Sequence, residues 1–213
     1  HDMKDEYSEL EVGSVILAPG FEEFNVGRKR EFGFGRYKNV ISSVQFDRML
    51  SAAGPFGGHV MRLSDHSEAK RIAFIQCVGS RDSKCGNGYC SSICCMATTK
   101  QALVADEHIE GMNASVFYMD IRAHGKDFDQ YYERARSKEN ISYIRGIPSR
   151  ALQVPDTGDI RLKYMDENFK YVEKDFDLVV LAAGMQPGTG IEDKMTKLGV
   201  NLNESGFSGT SRL

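Results

Sequence analysis

The chain has no apolar run approaching the roughly 20 residues that a membrane-spanning helix needs. Its start, His1-Asp2-Met3, lacks the basic stretch followed by an apolar one that marks a secretory signal. Together these absences point to a cytoplasmic protein without a membrane span. Positive charge is not in excess either: 27 Lys and Arg stand against 30 Asp and Glu, a formal net charge of -3. No broad basic field is available, so nucleic acid is not an implied partner. Histidines are few, and His59, His66, His108 and His124 lie beside no partner at metal-binding spacing. His1-Asp2-Met3 is expected to be foreign to the natural sequence, which is expected to begin inside a larger protein.

What remains is an ordinary globular composition, 41% hydrophobic and 27% charged. At 213 residues the chain has room for one large domain or for one domain and part of another. The unusual feature is the placing of its five cysteines, Cys77, Cys85, Cys90, Cys94 and Cys95, in one short stretch. A disulfide framework spreads its cysteines so that each bridge closes a loop, whereas a metal or cluster site gathers them. The odd count also argues against complete internal pairing.

Hydrophobic patterning predicts an α/β chain. Val15-Ile16-Leu17-Ala18-Pro19-Gly20 is echoed by Leu178-Val179-Val180-Leu181-Ala182-Ala183-Gly184. Each reads as a strand buried on both faces that stops at small residues, where backbone can approach a ligand closely. Between them, residues 71–77 read as a buried strand, 96–108 as a helix, 114–121 as a strand, 127–138 as a charged helix and 141–147 as a strand. This order implies a parallel, Rossmann-like sheet. Residues 151–154, 160–164 and 170–172 read as an antiparallel β excursion from it. The segment 27–65 reads as a connecting region with one short helix at 44–50.

The turn after the first of these central strands is where a dinucleotide-binding domain carries G-x-G-x-x-G. Here Gly86 and Gly88 give G-x-G, but the third glycine falls on Ser91, and the turn is much longer than usual. Sulfur has replaced the nucleotide grip. Cys77 ends the strand, and Cys90, Cys94 and Cys95 lie at or just before the next helix, whose N-terminus favours negative charge. Four thiolates can hold a [4Fe–4S] cluster or Zn²⁺. The C-x12-C-x3-C-C spacing suits zinc less, since structural zinc uses paired C-x2-4-C knuckles. Neighbours on a helix point about 100° apart, so Cys94 and Cys95 are expected to share a site only where the chain is irregular. Cys85 is read as a free thiol, and Lys100, one to two turns into the helix, as a surface lysine within reach of a cofactor.

The runs Gly33-Phe34-Gly35-Arg36-Tyr37, Met49-Leu50-Ser51-Ala52-Ala53-Gly54-Pro55, Ile75-Gln76-Cys77-Val78-Gly79-Ser80-Arg81-Asp82, Tyr89-Cys90-Ser91-Ser92-Ile93-Cys94-Cys95-Met96 and Phe117-Tyr118-Met119-Asp120-Ile121-Arg122 resemble the A subunit of heterodisulfide reductase and its bacterial relatives. The resemblance extends through nearly the whole chain. It implies a thioredoxin-reductase-like flavoprotein that passes electrons between FAD and iron–sulfur clusters. Its partners would be other heterodisulfide-reductase-type subunits and hydrogenase or dehydrogenase electron donors. By resemblance, Cys77, Cys90, Cys94 and Cys95 would ligate one [4Fe–4S] cluster. Ala18, Pro19, Gly20, Ala182, Ala183 and Gly184 would pass near FAD, and Lys100 would approach its ring; Pro19 stands where such motifs commonly have threonine. Residues 1–65 would then end the first half of an FAD domain and add a connecting region. Residues 66–186 would form the cysteine-bearing Rossmann-like domain, inserted into an incomplete flavin-binding domain to which 187–213 begin the return. The FAD fingerprint itself is not in the chain, which alone is expected to be an inactive part of an oxidoreductase. Two alternatives stand beside this reading: a structural zinc or interaction module, and a conventional NAD(P)H-dependent disulfide reductase, for which no C-x-x-C pair exists.

Overall fold

The structure, a computed structural model, describes residues 4–210. The expectation for His1-Asp2-Met3, and the last three residues of the 187–213 segment, lie outside them. Residues 4–21 run without helix or strand and are almost wholly exposed. This corrects the expectation of a buried strand at Val15 to Gly20: Ile16 is 95% exposed and Leu17 38%. β-branched residues favour a strand where neighbours pack against them, and among the described residues no strand pairs with this segment.

The elements that follow are β1 (Glu22–Glu23), β2 (Val40–Ser42), α1 (Ser43–Leu50), β3 (Arg71–Val78), α2 (Cys94–His108), β4 (Asn113–Tyr118), α3 (Phe128–Arg136), β5 (Ile141–Arg145), β6 (Arg150–Gln153), β7 (Ile160–Met165), β8 (Tyr171–Phe176), β9 (Leu178–Ala183), β10 (Met185–Gln186) and α4 (Ile191–Lys197). Five strands form one parallel sheet in the order β2-β9-β3-β4-β5. β6, β7 and β8 form a separate antiparallel meander, and β1 pairs with β10.

Three layers result. Ile72 and Phe74 of β3, with Leu178 and Val180 of β9, pack against Phe46 and Met49 of α1, Ala102 and Leu103 of α2 and Ala135 of α3. The alternate residues Ala73, Ile75, Val179 and Leu181 face the opposite way, onto Ile160, Leu162, Tyr164 and Phe176 of the meander. The period of two along each strand thus divides one apolar run between two cores. Both central strands are buried on both faces, as parallel strands covered by two layers must be. α1 begins in a capping box, where Ser42 and Gln45 each bond the other's backbone N–H.

At the amino end of the central strands, Asp177 accepts from the backbone N–H of Lys70 and Arg71 at 2.9 and 2.7 Å and from the Arg71 guanidinium. Arg62, also buried, pairs with Asp159 at 2.6 Å. This ion network closes one end of the sheet. The cysteines occupy the other.

Candidate functional site at the end of the central strand

β3 lies in the middle of the sheet, and its register against β9 shifts between Ile75 and Val78. Cys77 sits in that bulge with φ 59°, a left-handed conformation that costs a non-glycine residue roughly 1–2 kcal/mol. Bulges re-aim side chains and cluster at functional sites. The Cys77 thiol lies among Cys95, Arg81, Cys90 and Asp120, whose charges bear on it. Two residues on, Gly79 has φ 72° and presses on the ring of Phe24, leaving no room for a β-carbon.

The long turn that follows is folded by its own hydrogen bonds. Asn87 Nδ2 donates to the Gly79 carbonyl at 2.9 Å, and the N–H groups of Arg81 and Asp82 donate to the carbonyls of Tyr89 and Asn87. Ser80 Oγ accepts from the Ser91 N–H at 3.0 Å, and Ser91 Oγ accepts from the Met185 N–H at 2.8 Å. Ser91, where a dinucleotide fingerprint would have its third glycine, therefore braces the cysteine loop to the start of β10. Cys85 stands in a 3-10 turn of this loop, its thiol donating to Asp82 Oδ2 at 3.3 Å.

α2 starts at Cys94, and the residue before it, Ile93, offers no side-chain cap. Its first N–H groups are left without a side-chain partner, as a helix N-terminus near an anion requires. Cys94 and Cys95 diverge from this point. Cys94 Sγ lies 3.4 Å from the Ala183 carbonyl at the end of β9. Cys95 Sγ lies 3.8 Å from the carbonyl of Asp120, just past β4, and 3.5 Å from Gln76 Oε1 on β3. The adjacent pair thus reaches toward both strands that flank β3. The chain is irregular immediately upstream, where Ser92 has φ 57°.

Burial pushes the Cys94 thiol up to about 12 and that of Cys77 to about 11, with neighbouring sulfurs adding to both. Burial raises Cys95 as well, against the Arg122 N–H that donates to its sulfur at 3.4 Å. Arg81 works in the opposite direction at Cys77. Asp120 holds both arginines, Arg81 at 2.5 Å and Arg122 at 3.3 Å. Such thiols stay protonated at neutral pH unless a cation takes the place of the proton. Gln76 is 1% exposed, and its Nε2 is buried with no partner. An orphaned donor beside a thiol fits an acceptor such as a metal-bound sulfur. Among the described residues no group of three or more His, Cys, Asp and Glu is placed to hold a single metal ion. A [4Fe–4S] cluster makes a different demand, because its irons and sulfides lie between the thiolates and hold them farther apart.

Beyond Cys94 opens a cavity of about 550 Å³. Phe21, Val44, Ile93, Ala97 and Met185 give it apolar walls, with Cys94, Ala183 and Gly184 along one side. Lys100 lines it and pairs with Asp47 at 2.8 Å. Glu23 and Gln101 also line it, and each has an Oε1 that is buried without a partner. Burial raises the Glu23 carboxyl above its ordinary range. The structure therefore brings Lys100, Ala183 and Gly184 together with Cys94. Ala182 is buried within β9. Ala18, Pro19 and Gly20 lie on the exposed segment and do not line the cavity.

No family model matches the chain. The iron–sulfur A subunit of CoB–CoM heterodisulfide reductase from Methanocaldococcus jannaschii is 41% identical over 208 residues, 97% of this chain and 32% of that protein. The A subunit of H(2):CoB-CoM heterodisulfide,ferredoxin reductase from Methanothermobacter marburgensis is 39% identical over 210 residues, 97% of this chain and 31% of the relative. Over nearly its whole length the chain is similar to heterodisulfide reductase A subunits. It spans about a third of the length of the curated relatives it matches. Among solved structures, bacillithiol disulfide reductase from Bacillus cereus aligns over 67% of this chain and 36% of its own at 14% identity and a TM-score of 0.42. L-lysine 6-monooxygenase from Pseudomonas syringae aligns over 79% and 46% at 11% identity and a TM-score of 0.46. Sequence alone assigns no role at the site to Gln76, Asp120, Glu23 or Gln101. Only Gln76 left a signal, as a lone amide in an otherwise apolar strand; the others are brought to the site by tertiary contacts.

Proposed function

We propose that the chain is the electron-relay segment of a heterodisulfide-reductase-type flavoprotein, with Cys77, Cys90, Cys94 and Cys95 holding one [4Fe–4S] cluster beside a flavin pocket. The observation that carries this reading is the position of Cys94. It belongs to the cysteine group and also forms a wall of the 550 Å³ cavity. A group in that cavity and one among the cysteines would be separated by little more than a side chain. The cavity's apolar walls suit the flat ring of FAD, and Lys100 offers it a cation. When bound, the two groups supply one-electron transfer at the cluster and exchange between one- and two-electron chemistry at the flavin. The chain's own part is to exclude water, to hold the sulfurs, and to place Arg81 and Arg122 where they offset negative charge.

In this reading residues 66–186 are the cluster-bearing domain, and 1–65 and 187–213 contribute to a flavin domain completed elsewhere in the longer protein. That protein would work in the cytoplasm as an oxidoreductase with heterodisulfide-reductase-type subunits and hydrogenase or dehydrogenase donors. The chain by itself would be inactive.

The test is anaerobic reconstitution followed by a visible spectrum and iron, sulfide and zinc analysis on one sample, repeated for Cys94→Ala and Cys85→Ser. About four irons per chain, lost in the first variant and kept in the second, is the expected result. One zinc and no visible band would replace the relay by a structural metal site.

A further inference from the structure

We infer that Gln76 donates an amide hydrogen to the Cys95 sulfur once that sulfur is bound to iron, and thereby sets the reduction potential of the site. This rests on the cluster reading above. Gln76 lies on β3, where Ile72, Ala73, Phe74, Ile75 and Val78 are all buried and apolar. A carboxamide at 1% exposure in such a strand calls for a polar partner. The contact the structure gives it is with Cys95: the thiol hydrogen goes to Oε1 at 3.5 Å, while Nε2 has no acceptor.

Iron binding reverses the polarity of that contact. A thiolate bound to metal has no hydrogen to give and becomes an acceptor. The terminal torsion of glutamine is broad and roughly two-fold, so a half-turn exchanges Oε1 for Nε2 and presents N–H to the same sulfur. Cys95 would then receive two donors, the second being the Arg122 N–H already 3.4 Å away. One-electron reduction adds a negative charge to the cluster with no proton taken up. Donors on a ligating sulfur stabilise that more negative state, so they raise the potential. Gln76 therefore acts on the electron balance of the site without binding iron.

The experiment uses the whole chain, loaded anaerobically with iron and sulfide and grown with glutamine labelled with 15N in its side-chain amide. The midpoint potential is titrated with dithionite, and the reduced, paramagnetic state is examined for 15N hyperfine coupling. In Gln76→Leu the one-electron reduction should become about tenfold less favourable, a shift of about 59 mV to more negative potential. The 15N coupling should be present in the wild type and absent in the variant. Gln76→Met, which keeps the length of the side chain without an amide or a charge, gives the same comparison if the leucine variant fails to take up iron. A loaded wild type without 15N coupling, a coupling that survives in the variants, or an unmoved potential overturns the inference and leaves the cluster reading standing. A wild type that takes up no iron overturns both.

Discussion

Replacing Gly79 with alanine would place a methyl carbon inside the ring of Phe24. The new β-carbon falls 2.0 Å from Phe24 Cδ1 and 2.2 Å from Cγ. Phe24 is 1% exposed, and its backbone N–H donates to the Gly184 carbonyl at 2.8 Å, so the ring has little freedom to retreat. Two costs combine. Alanine at φ 72° pays about 1–2 kcal/mol for the left-handed conformation, and displacing a packed ring adds about 1–3 kcal/mol. The sum, about 2–5 kcal/mol, is a large share of the roughly 5–15 kcal/mol that typically separates folded from unfolded chains. Urea unfolding of the metal-free protein, followed by circular dichroism, should show a lower midpoint at unchanged slope. The same substitution made in a Phe24→Leu background separates the two costs, because the smaller side chain relieves the clash and leaves only the backbone part. A penalty under about 0.5 kcal/mol, the size of an ordinary surface change, would refute the reasoning, as would a full penalty that persists in the Phe24→Leu background.

Asp177→Ala removes the acceptor of two backbone N–H groups and leaves Arg71 and Arg62 short of a partner in the buried network. A loss of about 3–5 kcal/mol is expected in the same unfolding experiment, and little effect on iron uptake, because the network lies at the far end of β3. Tyr143 bonds Thr99 Oγ1 at 3.0 Å, and burial pushes its phenol up to about 12. A raised folded value means that its contribution to stability is complete below the ordinary tyrosine value of about 10. That contribution is lost as pH climbs through about 12, a fall Tyr143→Phe should lack when unfolding is measured across this range.

The contrast between two similar apolar runs shows what the sequence could and could not disclose. Leu178-Val179-Val180-Leu181-Ala182-Ala183 is β9, flanked on both sides by β2 and β3. Val15-Ile16-Leu17-Ala18 has the same character and no neighbour among the described residues. Local pattern gives the capacity to be a strand; only a partner makes one. β3 to β5, the meander and the helices between them were legible because periodicity and helix-forming residues agreed. β2 was missed because Val40-Ile41-Ser42 is too short to show a period. At the site, the crowding of the cysteines announced itself. The bulge at Cys77, the divergence of Cys94 and Cys95, and the orphaned atoms of Gln76, Glu23 and Gln101 depend on register and packing, which no spacing rule encodes.

The hydrogen-bonded loop between Gly79 and Ser92 has a consequence for how the protein meets damage. Structural zinc modules collapse when their ion is withdrawn, because the ion is what folds them. Here the Ser80, Asn87 and Ser91 bonds, and the anchoring of Ser91 to Met185, hold the loop to the sheet without help from sulfur. If the proposed cluster is held there, its loss to oxidation would leave the socket standing. On that reading, repair would require only delivery of iron and sulfide and reduction of any oxidised thiol, with no refolding, so such a site could be emptied and refilled within the lifetime of one chain.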